Sequence, residues 1–266
     1  HDGSVRFGWP ELSGGCCAYG IFNDNIAVSD IDSDGKKEII VPSDVHYICA
    51  FREDGARIAA NKMYGDKKWG EVGVWVDLEA ELRGWGCCGT EHRPNFAHCP
   101  ATIADMDGDS NPEVLVIGNV HNCGTSPYTN LYHGPFIFYP DRSRFKSGDF
   151  DWKTVPVDVG APICEDYNVI ESCMPNPVAA DIDGDGTKEI LFASNDGKVH
   201  CFWMDKSEKY NWPYAVYDSG EGIYRFASEP VVVDLDNDGR AEVIFCSWVK
   251  KKTNKSGHIF ILDYRG

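Results

Sequence analysis

Apolar residues in this chain fall into short runs that come in pairs: NIAVS and EIIVPS, ATIA and EVLVIG, PVAA and EILFAS, PVVV and EVIFCS. Their shortness and their content of valine, isoleucine and phenylalanine predict β-strands. A polar stretch separates the members of each pair. A third apolar run follows, in DVHYICAFREDG, DGKVHCFWMD and SGHIFILDYRG, and after an insertion in GPFIFYPD. The pattern therefore predicts a hairpin and a third strand, written four times. The polar stretches begin at residues 30, 105, 181 and 234, so the repeats are 75, 76 and 53 residues apart. A sheet of that size cannot cover both of its faces alone, so successive repeats are expected to stack and share a core. The fold class expected is all-β, with residues 1–266 as one domain.

The polar stretches at 30–38, 105–113, 181–189 and 234–242 share one rule: Asp at the first, third and fifth positions and Glu at the ninth. The acids are Asp30, Asp32, Asp34 and Glu38; Asp105, Asp107, Asp109 and Glu113; Asp181, Asp183, Asp185 and Glu189; and Asp234, Asp236, Asp238 and Glu242. So many carboxylates in one tight loop repel one another unless a cation sits among them. Hard oxygen ligands on a flexible loop favour Ca2+ over softer metals, and over Mg2+, which keeps several waters and a strict octahedron. The seventh-position carbonyl, from Lys36, Asn111, Thr187 or Arg240, is expected to complete each cage, giving up to four Ca2+ sites. An EF-hand loop ends in a bidentate Glu at its twelfth position and is flanked by helices. Here the twelfth residues are Val41, Val116, Phe192 and Phe245, and strands follow. The second loop has Ser110 where the others have Gly35, Gly186 and Gly239. A position that needs positive φ is cheaper for glycine, so the second site is expected to be the weakest.

These loops, each set in a hairpin with a third strand behind it, resemble the FG-GAP and VCBS repeats of integrin α-subunit heads, several fungal lectins and many bacterial secreted proteins. The resemblance covers most of the chain and implies a calcium-bearing β-propeller with one blade per repeat, four of which are visible. The N-terminal DGSVRFGWP resembles the family's link between blades, and Trp212-Pro213 lies at a comparable internal join. A strand at about residues 3–12 is therefore expected to complete the last blade or that of a neighbouring subunit. A closed four-bladed ring, a head-to-tail polymer and a part of a longer propeller all satisfy this reading.

The formal charge of −17 looks extreme until the sixteen loop carboxylates are set against the 42 acids; four divalent ions would reduce it to about −9. That acidity argues against nucleic acid as a partner, which needs a basic face. The lysine-rich VKKKTNKSG reads as a solvated loop. Eleven cysteines without metal-binding or redox spacing point to disulfides, and with calcium loops suited to millimolar calcium they predict an extracellular setting. Cys49 and Cys201 occupy equivalent third-strand places, where one can serve as a small core residue. No apolar run of about 20 residues spans a membrane, and the absence of a signal peptide suggests a mature or trimmed form.

No nucleophile elbow, zinc-protease, phosphate-loop or dinucleotide motif occurs, so an enzyme is not expected. The long insertions carry Trp69, Trp75, Trp85, Glu91, His92, Arg93, His121, Tyr128, Tyr132 and His133. Aromatics beside polar groups suit sugar stacking if exposed; otherwise they pack the loops. An N-terminal His1 chelates copper in oxidative polysaccharide enzymes, but those have a different fold and a second placed histidine. The function expected is that of a secreted calcium-binding module for structure, adhesion or assembly, with filaments as one form. Its partner would be another protein or itself, through the N-terminal strand. A lectin binding carbohydrate is the alternative, and a polysaccharide lyase or hydrolase the second alternative.

Overall fold

The computed structural model describes residues 2–9, 26–43, 45–84, 93–96, 99–121, 132–156, 163, 176–249 and 254–266. It is nearly all β. The first sheet is β1 (Ala27–Ser29), β2 (Glu38–Pro42) and β3 (Ile48–Phe51), in that order. The second contains β4 (Arg93–Asn95), β5 (Ala101–Ala104), β6 (Glu113–His121) and β7 (Tyr132–Phe138). Both β4 and β5 pair with the long β6, as does β7. A small hairpin, β8 (Lys146–Ser147) with β9 (Phe150–Asp151), follows. The third sheet runs β10 (Val178–Ala180), β11 (Glu189–Ala193), β12 (Lys198–Phe202), β13 (Tyr214–Ala215). The fourth has β14 (Arg225–Ala227) and β15 (Val231–Val233) on β16 (Glu242–Val249), with β17 (Ile259–Leu262) also paired to β16. All pairings are antiparallel.

The four repeats fold in the same register. The residue before each first aspartate pairs with the ninth-position glutamate: Ser29 with Glu38, Ala104 with Glu113, Ala180 with Glu189, Val233 with Glu242. Consecutive sheets then stack face to face, as propeller blades do. Ile40, Ile48 and Ala50 of the first sheet share one core with Leu115, Phe136 and Phe138 of the second and with Phe192 and Phe202 of the third. The opposite face of the third sheet, through Leu191, Val199 and Cys201, packs with Val243 and Phe245 of the fourth. Because both faces of an inner sheet are covered, β7 and β11 are buried along their whole length, and their continuous apolar sequences follow from it. Cys201 is one of these core residues and carries no disulfide, and neither does the exposed Cys246. Seven further cysteines, Cys16, Cys17, Cys87, Cys88, Cys123, Cys164 and Cys173, lie outside the described residues, and the expected disulfides rest on them.

Residues 2–9 form no strand. Trp9 lies against Phe51 of the first sheet, with ring centroids 5.5 Å apart, and its indole N–H donates to the Glu53 carbonyl at 3.3 Å. Among the described residues β17 pairs only with β16, so the N-terminal pairing expected for the last sheet is not seen there; residues 10–12 lie outside them.

In β12, His200 is buried between two carboxylates, with Nε2 at 3.2 Å from Asp196 and Nδ1 at 3.0 Å from Glu208, and Lys198 also reaches Asp196. Burial alone would lower its pKa, but the hydrogen bonds and charges of Asp196 and Glu208 outweigh it and raise it to about 9. The neighbouring His133 has no such carboxylate contact; burial depresses it to about 3 and keeps it neutral. A histidine whose folded pKa exceeds its unfolded value of about 6.5 contributes stability below that value and loses it as pH rises through the folded pKa. The contribution of His200 is therefore expected to fall by at most about 3 kcal/mol between pH ~6.5 and ~9. Denaturant titrations across this range check it, and His200→Gln should flatten that limb.

Candidate metal centres

Each strand-loop-strand turn brings three carboxylates together. Ligand atoms of Asp30, Asp32 and Glu38 lie within 4.8 Å of one another, as do those of Asp105, Asp107 and Glu113, of Asp181, Asp183 and Glu189, and of Asp234, Asp236 and Glu242. The backbone sets this up identically four times. The first aspartate accepts the N–H of the fifth residue through Oδ1 and of the sixth through Oδ2, at 2.9–3.2 Å. The glutamate Oε2 accepts the N–H of the second residue: Ile31 at 3.0 Å, Met106 at 2.8 Å, Ile182 at 2.9 Å and Leu235 at 2.8 Å. Each loop thus wraps its own backbone around converging acids.

The fifth-position aspartates are not part of these triads. Asp34, Asp109, Asp185 and Asp238 each accept the N–H of the seventh residue through Oδ1, at 2.7–2.8 Å, which anchors their carboxylates to the outgoing backbone. The wrapping also demands left-handed backbone at two places per loop. The sixth position has φ of 86° at Gly35, 73° at Ser110, 91° at Gly186 and 87° at Gly239. The fourth position has φ of 60° at Ser33, 79° at Gly108, 79° at Gly184 and 62° at Asn237. Only the third loop has glycine at both. Ser110→Gly is expected to stabilise the protein by about 0.5–1 kcal/mol, measured by denaturant titration, because serine is held in a conformation glycine adopts freely.

The chemistry of the donor set fits a hard cation. Glu38 and Glu189 are fully buried, and in each the second carboxylate oxygen has no hydrogen-bond partner. A buried carboxylate oxygen left so is costly unless something cationic meets it. Burial, with the three neighbouring aspartates adding to it, raises Glu113 to about 7 and Glu189 to about 8, and Glu38 in the same direction. Two ionised carboxylates 4.8 Å apart repel by about 3–4 kcal/mol at an effective dielectric of about 20, so three converging acids oppose folding unless neutralised.

The loops are not equivalent in their surroundings. Arg52, just past β3, reaches Asp32 and Asp34 of the first loop, each at 3.2 Å. The matching residue after β12 is Trp203, whose indole N–H donates to Asp183 at 3.1 Å without bringing a charge. An arginine at the mouth of the first loop competes with a cation there. Since the pair is partly exposed, Arg52→Ala is expected to raise that loop's divalent-ion affinity by roughly 3- to 10-fold, read by calorimetric titration. Adjacent loops also touch. Lys188 Nζ donates to the Asp105 carbonyl at 2.6 Å, and Ala241 N–H to the Ile182 carbonyl at 2.9 Å.

Elsewhere, four of the sequence candidates among the described residues are interior. Trp69, Trp75, Tyr132 and His133 are buried, so their rings are not offered to a sugar. Arg93 lies on β4, and the side chain of His121 is not described. His1, Trp85, Glu91, His92 and Tyr128 lie outside the described residues.

Residues 181–245 match the family model of the FG-GAP-like repeat, a span that holds the third and fourth loops and reaches into β16. A comparison with curated proteins finds no match. Among solved structures, the chain is similar to one titled "Crystal structure of BBS1N in complex with ARL6DN, soaked with mercury", at 8% identity and a TM-score of 0.35, covering 96% of this chain and 74% of that one.

Proposed function

We propose that this chain is a calcium-pinned, propeller-like repeat module that works outside the cell as a structural, adhesion or assembly element, and not as an enzyme. The observation that carries this reading is the unpartnered, fully buried oxygen of Glu38 and Glu189, facing aspartates that the loop backbone holds in place. Oxygen-only donors on a short flexible loop are the chemistry of Ca2+. The first and third aspartates and the ninth glutamate would hold the ion, with the fifth aspartate and the carbonyl of Lys36, Asn111, Thr187 or Arg240 completing the shell. A bound ion supplies charge neutralisation at the hairpin turn. The protein's own part is to fix three acids on one register and to brace each loop against the next. The FG-GAP-like match over the third loop supports the same assignment. An extracellular setting follows from such loops because millimolar calcium saturates them, and the cysteine content agrees.

Calorimetric titration of the metal-stripped chain with Ca2+ and, separately, Mg2+ tests the reading. Saturable Ca2+ binding at up to four sites with much weaker Mg2+ binding is expected. Equal response to both ions, or none to either, contradicts it.

A further inference from the structure

The third metal loop is bonded to both of its neighbours through residues that stand next to its ligands. Towards the fourth loop the bonds run in series. Glu189 Oε2 accepts the N–H of Ile182 at 2.9 Å, and the carbonyl of Ile182 accepts the N–H of Ala241 at 2.9 Å. Ala241 directly precedes Glu242, the ninth-position acid of the fourth loop. The two loops also touch: a Cβ at Gly184 would lie 2.5 Å from the Gly239 carbonyl oxygen, an approach that glycine alone permits. Towards the second loop, Lys188 directly precedes Glu189, and its ammonium donates at 2.6 Å to the carbonyl of Asp105, whose side chain is the first ligand of that loop.

The first loop lacks such a link. In the second loop the residue that matches Ala241 is Pro112, which has no N–H to offer the Ile31 carbonyl. Ile31 packs in the shared core, but among the described residues no hydrogen bond joins the first loop to any of the other three.

We infer that Lys188 and Ala241 are positioning residues that couple three metal loops: an ion in the third raises the affinity of the second and fourth, while the first fills independently. The inference rests on the calcium reading above and adds how the loops respond to one another. Without an ion the acids of the third loop repel, and Glu189 is not held. An ion fixes Glu189, and with it the Ile182 peptide on one side and Lys188 on the other. The backbone before Glu242 and the carbonyl of Asp105 are then ordered in advance, so the fourth and second ions lose less conformational entropy on binding. Repulsion between neighbouring ions opposes this. Yet four carboxylates less one divalent ion leave each filled loop a formal −2, and counter-ions screen charges beyond about 8 Å at about 0.15 M salt.

Calorimetric Ca2+ titration of the full chain at about 0.15 M salt, begun where circular dichroism shows it folded, tests this by making one substitution in two loops. Glu189→Gln and Glu38→Gln each remove the charge of a fully buried ninth-position acid that has an unpartnered oxygen, so their direct effects are matched. Glu189→Gln should leave three ions bound, two of them about 5- to 10-fold more weakly than in wild type, and Glu38→Gln should leave three at wild-type affinity. Lys188→Met and Ala241→Pro keep every ligand, and proline already stands at the place equivalent to Ala241 in the second loop. Added to either of these, Glu189→Gln should weaken one remaining ion instead of two, and added to both, none. Three remaining ions at wild-type affinity after Glu189→Gln overturn the inference. So does equal weakening by Glu38→Gln, which would place the coupling in folding as a whole, or an effect of Glu189→Gln that persists with both links removed. A wild type that takes up no Ca2+ removes the calcium reading as well, whereas four ions bound independently remove this inference alone.

Discussion

Glu81→Ala is expected to destabilise the protein by about 3–5 kcal/mol and to lower its melting temperature by roughly 10 °C or more. Glu81 sits on the helix α1 (Leu78–Arg83), in the insertion after the first sheet, and is wholly buried. Its Oε1 accepts from the Tyr64 hydroxyl at 2.7 Å and from Arg142 Nη1 at 3.1 Å; its Oε2 accepts from Arg144 Nη2 at 2.8 Å and from the Trp75 N–H at 3.2 Å. Burial pushes the Glu81 carboxyl up, yet Arg142 and Arg144 outweigh it and hold it below the usual range. The arginines in turn lie over Phe138, at 4.3 and 5.1 Å from its ring centre. Removing the one acid strands two guanidinium groups in the interior, where Arg142 Nε and Arg144 Nε already lack acceptors. Replacing all three charges with apolar residues of similar volume should recover most of the loss, since breaking a buried pair costs far more than exchanging it for a packed core. Denaturant titration of the single and triple variants measures both effects.

Glu189→Gln is expected to change sign with the metal. In Ca2+ it should cost about 3 kcal/mol, the stabilisation of one ion at roughly a hundred times its dissociation constant, because the third loop loses its charged ninth ligand. In a chelator the same substitution should be neutral or stabilising. Glutamine still accepts the Ile182 N–H that Glu189 accepts at 2.9 Å, and it removes a buried carboxylate that repels Asp181 and Asp183. Parallel melts in Ca2+ and in chelator check the sign. Destabilisation of equal size in both conditions would make Glu189 an ordinary buried hydrogen-bonding residue.

What could be read along the chain follows from how local each feature is. The four hairpins and their third strands are local, and their strands fall where the apolar runs stand. The glutamate at position nine is placed by spacing alone, because it pairs with the residue just before the first aspartate. Short edge strands were harder: β4 is Arg-Pro-Asn and β14 Arg-Phe-Ala, neither with an apolar pattern, and each exists because long β6 and β16 offer an unpaired edge. The fifth aspartate reads as a fourth converging acid, and the bond that its Oδ1 accepts from the seventh residue's N–H is a turn geometry that carboxylate spacing does not reveal. The left-handed fourth position was visible in retrospect, where Ser33 and Asn237 alternate with Gly108 and Gly184. The Glu81 cluster was not legible, since its partners Arg142 and Arg144 lie 61 and 63 residues away. For Trp69 and Trp75 the sequence leaves sugar stacking and packing both open, because the core they enter is built from distant strands.

The central claim is that divalent ions neutralise the converging carboxylates and hold the stacked sheets together. Thermal unfolding of the same preparation in millimolar Ca2+ and after chelation tests it most directly. With up to four sites at about 2.7 kcal/mol each, the total approaches the full stability of a typical domain, so chelation should lower the midpoint by tens of degrees or unfold the chain, reversibly on returning Ca2+. An unchanged midpoint after chelation, with no ion bound before it, would contradict the account.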